Sequence, residues 1–172
     1  LYPLLSEDKY IAIVHSYRDS FAKLRKLSSP GTKPVLFPGV IETLKILNSH
    51  GDFLLSIATG KSKIGVENDL ITNGIFSFFK NIQTSDDHAS KPDPSMLKCI
   101  LQETRMPPSS AVMIGDTTFD MEMAKALNLK TIGVSWGYHS VSDLSYSGAD
   151  YIIDSMFELK KAIDQIFSRD FK

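Results

Sequence analysis

Ala111-Val112-Met113-Ile114-Gly115-Asp116-Thr117-Thr118-Phe119-Asp120 decides the fold. Ala111 to Ile114 is an apolar run of strand length with no polar alternation, the pattern of a strand buried on both faces. A helix is predicted directly behind it, over Thr117–Leu127. The strand therefore hands over to its helix within a few residues, as in a parallel α/β sheet.

The same alternation extends in both directions. Downstream, Thr131–Val134 and Tyr151–Ile153 are short strands. A final helix opens on a Ser155/Glu158 capping box and buries Met156, Leu159, Ile163 and Ile166. Upstream, Pro94 suits the first turn of a helix capped by Asp93, with Leu97, Ile100 and Leu101 inward. Asn81–Thr84 is a further strand candidate. Lys61–Asn73 is a helix closed by Asn73-Gly74, and Phe53–Ala58 is another buried-type strand. Pro38-Gly39 opens a helix with Val40, Leu44 and Leu47 on one face, ending near Gly51. The fold class is α/β, a doubly wound parallel sheet covered on both faces.

Before this region the rhythm differs. Ser6-Glu7-Asp8 looks like a capped, acidic helix start, with an apolar stripe behind it at Tyr10, Val14, Tyr17, Phe21 and Leu24. Ser28-Ser29-Pro30-Gly31-Thr32-Lys33-Pro34 breaks the stripe and forms a linker. Two regions are expected, 1–33 and 34–172.

Composition narrows the function. The chain has 172 residues, 42% hydrophobic and 23% charged, ordinary values for a globular domain with a real core. Nineteen basic and 20 acidic residues leave a net charge of −1, which argues against a general nucleic-acid or anionic-membrane binder. No apolar run approaches the about 20 residues needed to cross a bilayer. The single cysteine, Cys99, excludes an intramolecular disulfide and a cysteine-based zinc site, and points to a reducing cytoplasm. The charge balance does not fix an oligomeric state.

In a parallel α/β sheet, ligands bind beyond the carboxyl ends of the strands. Three groups of residues fall there. Thr59-Gly60-Lys61-Ser62 lies behind the Phe53–Ala58 strand; its hydroxyl and backbone N–H groups can hold a phosphoryl oxygen, or Thr59 can simply cap a helix. Lys91-Pro92-Asp93-Pro94 holds a lysine on a stiff loop, where its ammonium can neutralise a phosphate or stay solvated. Asp116 and Asp120 stand four apart at a helix start, as oxygen ligands for Mg²⁺ or as helix-end carboxylates. Together, in this order at consecutive strand–helix junctions, they suit phosphoryl transfer. His15, His50 and His139 have no evident partner, and Trp136-Gly137-Tyr138 suits packing beside a strand end.

With these residues in view, the chain resembles the haloacid dehalogenase-like hydrolases, in particular the phosphoglycolate phosphatase-like branch with a helical cap. Thr59 matches the second family motif, Lys91 the third, and Gly115 to Asp120 the fourth. Pro38-Gly39-Val40, the segment Gly133 to Tyr138, and Gly148-Ala149-Asp150 are also similar to this branch. The resemblance implies a Mg²⁺-dependent phosphomonoesterase acting on a small phosphate ester through an aspartyl-phosphate. It implies that Thr59 and Gly60 contact substrate, that Lys61 either touches substrate or faces solvent at a helix start, that Lys91 binds the phosphate and steadies the nucleophile, that Asp116 binds Mg²⁺, and that Asp120 supports it directly or through water. It also implies that 1–33 is the end of a helical cap and 34–172 the core.

The family's first motif, Asp-x-Asp-Gly-Thr, has no counterpart in the chain. The nucleophile is then expected upstream of Leu1, together with a central strand between the Phe53–Ala58 and Ala111–Ile114 strands. Asp86-Asp87-His88 belongs to a polar loop and does not replace the motif. One alternative is a truncated or degenerate relative that binds a phosphate ligand or a partner chain without catalysis. A two-component receiver domain shares the residue types, but the N-terminal helical piece and the motif order fit it poorly.

Overall fold

A computed structural model describes Ser16, residues 35–49 and residues 51–168. The chain divides into two units, Leu1–Pro34 and Val35–Lys172, and the α/β sheet belongs to the second. The stripe along Tyr10–Leu24 and the linker at Ser28–Pro34 lie outside the described residues.

The element order is α1 (Val40–Ser49), β1 (Leu55–Thr59), α2 (Lys63–Thr72), β2 (Phe79–Thr84), α3 (Ser95–Thr104), β3 (Val112–Gly115), α4 (Thr118–Lys125), β4 (Lys130–Val134), α5 (Val141–Tyr146), β5 (Tyr151–Ile153) and α6 (Leu159–Ser168). Every ladder is parallel. The strands form two groups, β1-β2 and β3-β4-β5, and no ladder joins β1 to β3 among the described residues. This interruption lies where the sequence lacks an expected central strand.

Side chains tie the two groups together. Ala58 of β1 packs with Ala111 and Met113 around Leu97, Met123, Ala124 and Leu129. Leu55 of β1 joins Val112 and Ile114 in a second cluster built on Leu47, Ile132, Ile153, Ile163 and Ile166. β1 and β3 therefore share a core on both faces without sharing hydrogen bonds. β4 lies between β3 and β5, and Thr131 to Val134 are all buried, as a central parallel strand requires. α6 buries Leu159, Ala162, Ile163 and Ile166, the spacing of one helical face.

Several boundaries differ from expectation for local reasons. The Lys61–Asn73 helix begins at Lys63, because Ser62 is its N-cap and accepts from Gly65 N. Pro94, not Asp93, occupies the N-cap position of α3, yet Asp93 still supplies the capping oxygen, accepting from Ser95 N at 2.9 Å. Behind Ser155 the chain first makes a 3-10 turn at Met156–Glu158, so α6 starts at Leu159. The short helix α5 had no expectation at all. Its signal is the Ser140/Asp143 pair: Ser140 Oγ accepts from Asp143 N at 3.2 Å and donates to Asp143 Oδ2 at 2.6 Å.

Candidate active site

Thr59 ends β1, and its Oγ1 accepts from Lys61 N at 3.2 Å. Since the hydroxyl is the acceptor in that bond, its proton remains available to a ligand oxygen. The neighbouring β2 loop braces this turn. Ser85 Oγ donates to the Gly60 carbonyl at 2.8 Å, and Asp86 Oδ2 accepts from Lys63 N at 2.8 Å. Ser85 and Asp86 thus position the Thr59 loop, a role that sequence reasoning missed because the bonds span 23 residues or more. Lys61 turns to Asp69, with Nζ 2.8 Å from Oδ2, and is 60% exposed.

The second group is built on α4. Asp120 is buried, and both its oxygens are engaged. Oδ1 accepts from Lys91 Nζ at 2.6 Å; Oδ2 accepts from Thr117 N at 3.1 Å and from Thr117 Oγ1 at 2.8 Å. Thr117 Oγ1 in turn accepts from Asp120 N, completing a reciprocal capping box. Asp120 therefore caps its helix and holds Lys91 in place. Gly115 makes room for it: a Cβ there would lie 2.3 Å from Asp120 Cβ.

Asp116 is half-buried at the end of β3. Tyr138 N donates to its Oδ2 at 3.1 Å, and His139 N donates to its backbone carbonyl at 3.1 Å. Oδ1 has no hydrogen-bond partner among the described residues. A Cβ on Gly137 would lie 2.1 Å from Asp116 Cβ, so only glycine lets this loop pass so close. His139 does have a partner, contrary to the sequence reading: its Nδ1 accepts from Thr118 N at 3.0 Å. Trp136 does pack, against Phe37 with ring centroids 6.2 Å apart, while the Tyr138 ring is exposed.

Lys91, Asp120, Thr117 and Asp116 thus form one constellation at the start of α4. No hydrogen bond or ion pair links it to Thr59, Gly60 or Lys61 among the described residues. Nor do these residues include a group of three or more His, Cys, Asp or Glu able to hold a metal. Mg²⁺ needs only one or two protein carboxylates and keeps its waters. Asp116, with one oxygen free, fits that requirement as a single donor; Asp120, expected to serve the metal as well, has both oxygens engaged by Lys91 and Thr117. A cleft of about 430 Å³ along Thr118, Glu122, Tyr138, His139 and Asp143 lies beside this constellation, and none of the six predicted site residues lines it.

The sequence profile of the haloacid dehalogenase-like hydrolases matches residues 6–134. The chain belongs to this family. Among curated haloacid dehalogenase-like relatives, it is 30% identical over 156 residues to "Probable phosphatase IndB" of Dickeya dadantii, covering 90% of this chain and 66% of that protein. It is 31% identical over 125 residues to a phosphoglycolate phosphatase of Vibrio vulnificus, covering 72% of this chain and 54% of that protein. The chain thus spans about half to two thirds of the length of these relatives. A haloacid dehalogenase-like family hydrolase from Streptococcus pneumoniae superposes with a TM-score of 0.75 at 28% identity, over 92% of this chain and 72% of that one. No helix among the described residues is long and apolar enough to cross a membrane.

Proposed function

We propose that this chain supplies the phosphate-binding and metal-supporting half of a phosphomonoester hydrolase. The carrying observation is the Lys91–Asp120 pair, which fixes an ammonium at the start of α4, the helix that follows Asp116 at the end of β3. In this reading the first aspartate of an Asp-x-Asp-Gly-Thr motif, which these 172 residues do not contain, attacks the phosphorus; the ester oxygen leaves as an alcohol with a proton from the motif's second aspartate, and water then hydrolyses the aspartyl-phosphate to free phosphate and the original carboxylate.

This chain's residues do the electrostatic work. The Thr59 hydroxyl and the Gly60 and Lys61 segment hold phosphoryl oxygens. Lys91 offsets the charge of nucleophile and phosphate. Asp116 holds Mg²⁺, which when bound polarises the phosphoryl oxygens. Asp120 keeps Lys91 and the helix start in register. The single cysteine supports a reducing cytoplasm as the protein's location.

The substrate is a small phosphate ester, phosphoglycolate-like or a sugar phosphate; the Vibrio vulnificus relative's name supports the first of these. The native protein carrying this sequence, assayed on an aryl phosphate, is expected to turn over with Mg²⁺ and to stop with EDTA. Metal-independent turnover, or none, overturns the reading. The absence of Asp-x-Asp-Gly-Thr favours a second reading, a relative that binds phosphate compounds or a partner without turnover. An inactive native protein that still binds inorganic phosphate is the outcome that selects it.

A further inference from the structure

The first amides of an α-helix lack intrahelical acceptors and take them from local side chains or water. At the start of α4, Thr117 and Asp120 satisfy each other locally. Thr118 N is different. Its acceptor is His139 Nδ1, 21 residues away on the loop behind β4. That bond assigns the lone pair to Nδ1 and the ring proton to Nε2. The ring also meets Phe119 edge-on, with centroids 5.7 Å apart, so two consecutive residues of α4 hold it.

The same residue grips the other side of the turn. His139 N donates to the Asp116 carbonyl, and the preceding Tyr138 N donates to Asp116 Oδ2. Gly137, one residue earlier, lies against the Asp116 side chain. Three successive residues of one loop therefore contact one aspartate, and the imidazole locks that loop to the helix carrying Lys91's partner. A histidine that only filled space would have no reason to accept from a helix-start amide in the site turn.

We infer that His139 is a positioning residue for Asp116: its Nδ1 acceptor holds the 137–139 loop against α4, so that Asp116 presents its free oxygen to a divalent cation. This rests on the metal role proposed for Asp116. It needs no contact between His139 and substrate or metal.

The test uses the native protein with H139A and H139N, because an asparagine amide oxygen can replace the lost acceptor. Mn²⁺ binding without substrate, monitored by electron paramagnetic resonance of the free ion, is read beside the half-saturating Mg²⁺ for aryl phosphate turnover. H139A is expected to weaken Mn²⁺ binding by about tenfold, the scale seen for groups that orient a metal ligand, and H139N to recover most of it. KM for the aryl phosphate stays unchanged. Equal loss in H139A and H139N, or unchanged Mn²⁺ binding in H139A, overturns the inference. Failure of the wild type to bind Mn²⁺ overturns it too, whereas a wild type that binds Mn²⁺ without turnover fails only the phosphatase reading. If H139A does not fold, ¹⁵N-resolved spectra of the wild-type imidazole still decide: a ring protonated at Nδ1 at neutral pH contradicts the bond to Thr118 N.

Discussion

Lys91 Nζ lies 2.6 Å from Asp120 Oδ1, and the two side chains are only 20% and 5% exposed. Removing one member of such a pair leaves the other charge buried, at a cost of about 3 kcal/mol. The two members are not equivalent, because Asp120 also closes the capping box with Thr117. D120A is therefore expected to destabilise more than K91M, by about the 1 kcal/mol worth of a lost cap. Urea unfolding of both single variants and the double variant checks this. A double variant no less stable than D120A alone is the expected sign of coupling.

Thr59 is expected to act through its hydroxyl, not its shape. T59V removes one preorganised donor and should lower kcat on an aryl phosphate by about 10²-fold, while T59S keeps most of it. Steady-state kinetics of the two variants side by side separate the roles. Equal losses in both would assign Thr59 to packing.

Gly115 and Gly137 make opposite predictions. In G115A the added Cβ meets the buried Asp120 at 2.3 Å, so the change should appear as about 1–3 kcal/mol of lost stability. In G137A the clash is with Asp116, on a loop exposed at Gly137 itself. There the loop can shift, and the displaced carboxylate should cost about 10²-fold in kcat/KM with little change in thermal midpoint. Calorimetry and kinetics on both variants test the contrast.

Asp150 sets an acid-side limit on stability. Burial pushes its carboxyl up, but the Lys125 ammonium and the Thr131 N–H and hydroxyl outweigh this and hold it below the usual carboxylate range. A lowered folded-state pKa contributes stability that is complete above the unfolded value of about 3.9 and is lost as pH falls through the folded value. D150N should therefore be less stable than wild type near neutrality, because Thr131 is buried, yet lose less between about pH 5 and pH 3. Urea midpoints across that range report the difference.

How far the sequence reached depends on the range of the interactions. Apolar runs located β1, β3, β4 and β5, since a strand buried on both faces needs little context, whereas β2, with polar Asn81, Gln83 and Thr84, gave no such run. Lys91, Asp116 and Asp120 stood out because each falls between a strand and the body of the next helix, and the structure joins Lys91 to Asp120. The helix α5 escaped because six residues with one buried side chain, Leu144, are too short for periodicity. Thr117 was overlooked beside two more conspicuous carboxylates, although Thr-x-x-Asp is itself a capping pattern. The roles of His139 and Asp86 were beyond reach: their bonds join a loop to a helix start 21 and 23 residues away, and nothing local marks the acceptor.

Each carboxylate at the start of α4 rests against a bare Cα, Asp120 on Gly115 and Asp116 on Gly137. In evolutionary terms each pair is epistatic: the effect of enlarging Gly115 or Gly137 depends on whether its aspartate is still there. With the aspartate in place, the added carbon has to displace a carboxylate; with a shorter residue there, that clash is gone.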